Sequence, residues 1–152
     1  MKELEKISTS IPSLDAILRG GLPRNSVNVI AGPPGTGKTI LAQQIVFHNA
    51  RRDERAPYLV TVSEPTVKML RYQQQFAFFD PDRVGQNVIY LDIGSLLLEQ
   101  GLNGVTREIE QYMEEYSPTI LAIDSFKAIH EVAQDAPKAG HQRAQDARAG
   151  SR

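Results

Sequence analysis

The chain has 152 residues, 41% hydrophobic and 23% charged, with a formal net charge of −1. That length holds one domain with a real core and not two ordinary ones. The near-neutral charge supplies no global basic field for nucleic acid or anionic lipid. The absence of cysteine excludes disulfides and thiolate metal sites. Residues 1–6 are charged with no apolar run behind them, so no signal peptide is expected, and no apolar stretch approaches the roughly 20 residues of a membrane helix. The expected location is the cytoplasm.

In chain order, Leu14, Ile17 and Leu18 mark one face of a short helix stopped by Gly20, Gly21 and Pro23. Residues 27–31 (VNVIA) form a short β-branched run that reads as a strand feeding a glycine-rich loop. A helix is predicted over residues 38–51, with Leu41/Ile45 and Ala42/Val46 paired at i,i+4. After Pro57, residues 58–62 (YLVTV) read as a second strand, and residues 65–77 as a helix with Pro65 in its first turn. Residues 87–91 (NVIYL) give a third strand. Val105, Ile109, Tyr112, Met113 and Tyr116 then form one helical stripe, with Asn103 as its N-cap and Pro118 as its stop. Residues 119–123 (TILAI) are apolar on both faces, as a central parallel strand should be. Strands alternating with helices predict an α/β fold: a mostly parallel sheet with helices on both faces.

The loop between the first strand and its helix reads Gly32-Pro33-Pro34-Gly35-Thr36-Gly37-Lys38-Thr39. This is the G-x-x-x-x-G-K-[ST] phosphate loop, Walker A, which arises by chance in roughly one such chain in a few hundred. Gly35 and Gly37 allow the backbone to wrap closely and aim N–H groups at phosphate oxygens. The helix that starts there offers its unpaired amides, through Ile40, and its positive dipole end to the same anion. Lys38 is expected to reach the β- and γ-phosphates, and the Thr39 hydroxyl to coordinate magnesium. The bland alternative is a Gly-Pro turn joining strand to helix.

Asp124 ends the strand 119–123, as the magnesium-binding aspartate of a Walker B strand does. In an open parallel sheet ligands sit at the carboxyl ends of strands, which would bring Asp124 and the loop to one edge. The alternative is that Asp124 caps a short helix over residues 125–130. His48, His130 and His141 lack metal-ligand spacing. Arg51, Arg52 and Arg55 are interrupted by Asp53 and Glu54, so a solvated helix end is preferred to nucleic-acid contact. Phe76, Phe78 and Phe79 lack a basic stripe and read as core or a hinge cover rather than as a base-stacking platform. Ser125 reads as a helix-start serine, with a phospho-acceptor as the alternative by loose analogy.

Residues 7–15 (ISTSIPSLD), then Gly20-Gly21-Leu22-Pro23, then the phosphate loop, together resemble the start of a KaiC-type ATPase domain of the RecA/RadA-like P-loop proteins. Residues 60–65 (VTVSEP) and Ile123-Asp124-Ser125 fit the same pattern, so the resemblance covers residues 7–132. It implies a RecA-like nucleotide fold, ATP and Mg²⁺ as ligands, ATP hydrolysis, sometimes Ser/Thr autophosphorylation, and ring-shaped, commonly hexameric, homo-oligomers with ATP between subunits.

The chain departs from that pattern twice. KaiC-like domains usually carry two adjacent glutamates before the proline, one of which activates the attacking water. Here the pair is Ser63-Glu64, which leaves Glu64 as the candidate catalytic base beside Lys38. A serine hydroxyl cannot accept a proton as a carboxylate can, and general-base loss costs about 10²- to 10⁴-fold in rate. The other reading of Glu64 is a helix-start residue favoured by the dipole.

The second departure follows Val132. Residues 133–152 contain no Leu, Ile, Val, Phe, Tyr or Met, so they are expected to be a disordered or out-of-register tail behind a partial ATP-binding domain over residues 1–132. A RecA-like core incomplete after the Walker B strand would leave a sheet edge and a helix-packing surface exposed, which argues against an intact ring. Three functions follow as expectations: an ATP-hydrolysing domain, a nucleotide-binding module without turnover, or a fragment without independent activity.

Overall fold

A computed structural model of the chain describes residues 5–50, 55–61 and 66–135. Its centre is strand β3 (Ala56–Val60), whose five residues are all buried. β3 is flanked by β4 (Val88–Asp92) and β5 (Ala122–Asp124), giving a parallel sheet in the order β4-β3-β5. Parallel neighbours need crossovers. The first runs through α3 (Thr66–Gln73) and a 3₁₀ turn (Pro81–Arg83), and the second through α4 (Gly94–Tyr116). A two-residue antiparallel pair, β1 (Lys6–Ile7) with β2 (Leu22–Pro23), lies outside this sheet and encloses helix α1 (Pro12–Ile17) in sequence. Helices α2 (Lys38–Asn49) and α5 (Phe126–Asp135) complete the order.

Alternation along β3 divides the core in two. Ala56, Tyr58 and Val60 pack with Val46, Phe47 and Ala50 of the α2 region on one face. Leu59 packs with Ile93, Leu97 and Val105 and with Ile129 of α5 on the other. Helices therefore cover both faces, as the alternating pattern predicts. Phe47 meets Phe79 at 5.4 Å and Phe78 at 5.9 Å between ring centroids, so Phe78 and Phe79 pack on the core. The last carbonyls of α2 are closed from outside the helix: the Arg83 guanidinium donates to Phe47 O at 2.6 Å and to Ala50 O.

Two sequence expectations about strands are overturned. Residues 27–31 are not a strand: Val27 is 93% exposed, Val29 82%, and neither pairs with another segment among the described residues. Their β-branched composition is suited to a pleated surface, but a strand exists only where a neighbour takes up its backbone groups. Residues 119–123 are also not the central strand. The strand is Ala122–Asp124, half-buried and, among the described residues, paired with β3 alone, and the fully buried apolar run is β3. An edge strand at that position has only β3 for support.

Smaller shifts follow the same logic. The second strand begins at Ala56 rather than at residue 58, because Ala56 and Pro57 stand opposite Val88 and Ile89. α4 starts at Gly94, nine residues before Asn103, and Gly101 (φ 62, ψ −159) interrupts it. Asn103 is consequently inside the second helical segment and not its N-cap. α5 extends to Asp135, three residues past Val132.

Candidate functional site

The phosphate loop lies on the surface and joins the exposed residues 27–31 to α2. Gly35 (φ 78) and Gly37 (φ 83) take left-handed backbone that side-chain-bearing residues avoid, and Gly37 is the N-cap of α2. The first intrahelical bond runs from Leu41 N to Gly37 O at 2.9 Å, so by helix geometry the amides of Lys38, Thr39 and Ile40 have no intrahelical acceptor. Thr36 Oγ1 donates to Pro33 O at 2.9 Å and Lys38 Nζ to the same carbonyl at 2.8 Å. The ammonium is thereby folded over its own loop, on the side where the helix dipole is positive. Pro34 stays exposed at the loop's crown, and a Cβ on Gly32 would stand 3.0 Å from Thr36 Oγ1.

α2 is docked by the segment that precedes it in sequence. Gln44 Nε2 donates to Ser10 Oγ at 2.8 Å, and Asn49 Nδ2 to Ser8 O at 2.8 Å. That segment is itself held by Asp15, whose carboxylate accepts from Ser8 Oγ (2.6 Å), Thr9 Oγ1 (2.6 Å) and Thr9 N (2.8 Å). The hydrogen bonds from Ser8 and then Thr9 hold the Asp15 carboxyl below its ordinary value. The Ser-Thr-Ser…Asp signature is thus a side-chain lock that seats the phosphate-loop helix.

Asp124 stands opposite Val60 in the β3–β5 register, so its side chain shares the sheet face covered by α2. It lines a cavity of about 420 Å³ together with Thr39, Ile40 and Gln43 from α2 and Lys68 and Gln73 from α3. Two sequence-predicted metal ligands, Thr39 and Asp124, therefore border one space. Asp124 Oδ2 accepts from Tyr58 Oη at 2.9 Å, and Oδ1 accepts from no group among the described residues. The Asp124 backbone is held by Thr61, whose N–H donates to Asp124 O at 3.0 Å. The Thr61 hydroxyl donates to Ser125 O (2.9 Å) and accepts from Ser125 N (3.0 Å), so the Ser125 backbone is held in place. Buried Gln43 Oε1 and Gln73 Nε2 have no hydrogen-bond partner among the described residues, which leaves polar valence at the wall of the same cavity.

The donor set fits a magnesium–phosphate group. Among the described residues no cluster of three or more His, Cys, Asp or Glu could hold a metal alone. One carboxylate and one hydroxyl beside a phosphate loop match an ion that takes its other ligands from water and phosphate oxygens. Glu64 and Ser63 lie outside the described residues. His130 contacts Gln134 at 3.3 Å on α5. Arg55 sits 4.8 Å over the Tyr116 ring, a surface cation–π contact. Sequence reasoning missed Tyr58, Gln43 and Thr61; the available signal was polar groups inside an apolar strand and on the buried side of a helix.

The family model for the KaiC ATPase matches residues 7–143. A UPF0273 protein of Thermotoga maritima is 29% identical over 135 residues, covering 88% of this chain and 50% of that protein. The circadian clock oscillator protein KaiC of Picosynechococcus sp. is 26% identical over 144 residues, covering 90% of this chain and 28% of that protein. A UPF0273 protein of Pyrococcus horikoshii is 37% identical over 73 residues, 48% of this chain and 29% of that protein. The chain thus spans half or less of the length of these relatives. Among the described residues no helix is long and apolar enough to cross a membrane. With a parallel α/β sheet, a phosphate loop at the head of α2 and a family match over most of its length, the chain belongs to the KaiC ATPase family.

Proposed function

We propose that this chain binds Mg-ATP in the space between the phosphate loop and Asp124. Family membership makes nucleotide binding the baseline. The observation that supports the finer reading is that Thr39 and Asp124, 85 positions apart in sequence, border one cavity at the head of α2. In this reading the amides of residues 35–40 and Lys38 hold the β- and γ-phosphates, with Lys38 exchanging the Pro33 carbonyl for phosphate oxygen. Thr39 and Asp124 hold Mg²⁺, which when bound neutralises charge on the phosphate oxygens. Buried Gln43 and Gln73 supply an acceptor and a donor at the cavity wall. All of these groups come from a single copy of the chain.

Turnover is the second part of the proposal. Glu64 is the proposed base, and Ser63 stands where the resemblance supplies a second carboxylate. Binding with slow hydrolysis is the expected behaviour, because binding uses the loop and Asp124 while proton abstraction needs a carboxylate at the correct position. The test is Mg-ATP binding and phosphate release by the parent chain, Ser63→Glu and Glu64→Gln. Slow release that is lost in Glu64→Gln, with affinity unchanged, supports Glu64, whereas release that rises in Ser63→Glu assigns the base to position 63. Fast release by the parent that survives Glu64→Gln removes Glu64 from the role.

A further inference from the structure

We propose that Tyr58 is a positioning residue for Asp124: its phenol pins one carboxylate oxygen so that the other is presented to the nucleotide's metal ion. The inference rests on the reading of Asp124 as a metal ligand and adds a residue to it.

Tyr58 lies in the middle of the central strand and is 0% exposed. It stands opposite Ala122, one pleat before the Val60–Asp124 pair, so both side chains leave the same sheet face. The phenol spans that step and donates to Asp124 Oδ2 at 2.9 Å. Its ring packs against Tyr90 at 5.2 Å between centroids, and Tyr90 Oη is in turn held by Gln73 Oε1 at 3.1 Å. The donor therefore cannot swing away without opening the core.

A carboxylate's last torsion is broad, and a free Asp124 would present either oxygen to the cavity over a range of angles. A fixed donor on Oδ2 removes that freedom and leaves Oδ1 as the available ligand atom. Thr61, the residue that follows β3, fixes the backbone of Asp124 and Ser125, so β3 and its exit control the ligand at both ends. Groups that orient a metal ligand typically change metal affinity or activity by about 10- to 100-fold when removed.

The test is a Mg²⁺ titration at fixed concentration of a fluorescent ATP analogue. It compares the full parent chain, Tyr58→Phe, Asp124→Asn and the double variant, with metal-free analogue affinity and the unfolding midpoint measured alongside. Tyr58→Phe is expected to raise the half-saturating Mg²⁺ concentration about 10- to 100-fold while metal-free affinity stays within about twofold. In the Asp124→Asn background the same change should add nothing. If Asp124→Asn raises the Mg²⁺ requirement and Tyr58→Phe does not, the positioning role is wrong and the metal reading stands. If Asp124→Asn is silent, both fall. Equal losses with and without metal, or a Tyr58→Phe chain that does not fold, would make the phenol a structural group only and would overturn the inference.

Discussion

Replacing Arg83 by methionine removes two charged hydrogen bonds while keeping most of the apolar stem. In the parent protein that guanidinium donates to the carbonyls of Phe47 and Ala50, which close the C-terminal end of α2. Among the described residues neither carbonyl accepts from a helical N–H, α2 ending at Asn49. A hydrogen bond to a charged group contributes about 1.5–3 kcal/mol, and a cation near a helix C-terminus about 0.3–1 kcal/mol more. The site is only part-buried, so water recovers some of this in the variant. The expected loss is about 2–4 kcal/mol, or roughly 6–15 °C in the unfolding midpoint for a domain of this size. Urea unfolding followed by circular dichroism measures it, with Arg83→Lys as a partial rescue that keeps the charge and loses the planar fork. Midpoints of Arg83→Met and Arg83→Lys that both lie within about 0.5 kcal/mol of the parent would refute this role for Arg83.

Other consequences are as direct. Val27→Lys and Val29→Lys should each change stability by less than about 0.5 kcal/mol, because the side chains replaced are 93% and 82% exposed. A loss above about 2 kcal/mol in urea unfolding would instead place residues 27–31 in a buried strand. Asp15→Asn should remove an acid-sensitive component of stability. The Asp15 folded-state pKa is depressed, so the carboxylate stabilises the fold above the unfolded value near 3.8 and loses that effect as pH falls through the folded value. Unfolding midpoints of parent and variant should differ at pH 6 and converge as the pH drops below that window; a gap constant with pH would contradict it.

The local features were readable in the sequence because their physics is local. A phosphate loop is a contiguous backbone device, so its glycines, lysine and threonine announce themselves by spacing alone. The helices of α2 and α4 were visible in their apolar periodicity, although the break at Gly101 moved the cap away from Asn103. What escaped was whatever depends on a distant partner. Tyr58 and Asp124 are 66 positions apart, and nothing in either segment marks them as a pair. Arg83 reads as an ordinary surface cation until its distance to α2 is known. Residues 27–31 show the converse case: their composition suits a strand, but composition does not supply a neighbour for the backbone to pair with. Ser8, Thr9 and Asp15 were read as part of a family pattern, and their chemistry, a three-bond lock under α2, required coordinates.

The most direct measurement is calorimetric titration of Mg-ATP into the parent chain and into Lys38→Ala. If the loop and Asp124 form a triphosphate–magnesium site, the parent binds one equivalent saturably. Loss of the charged donor then weakens affinity by about 10- to 100-fold, the equivalent of roughly 1.5–3 kcal/mol. Absence of saturable heat in the folded parent, or equal affinities for parent and Lys38→Ala, would show that this loop is a turn and not a nucleotide site.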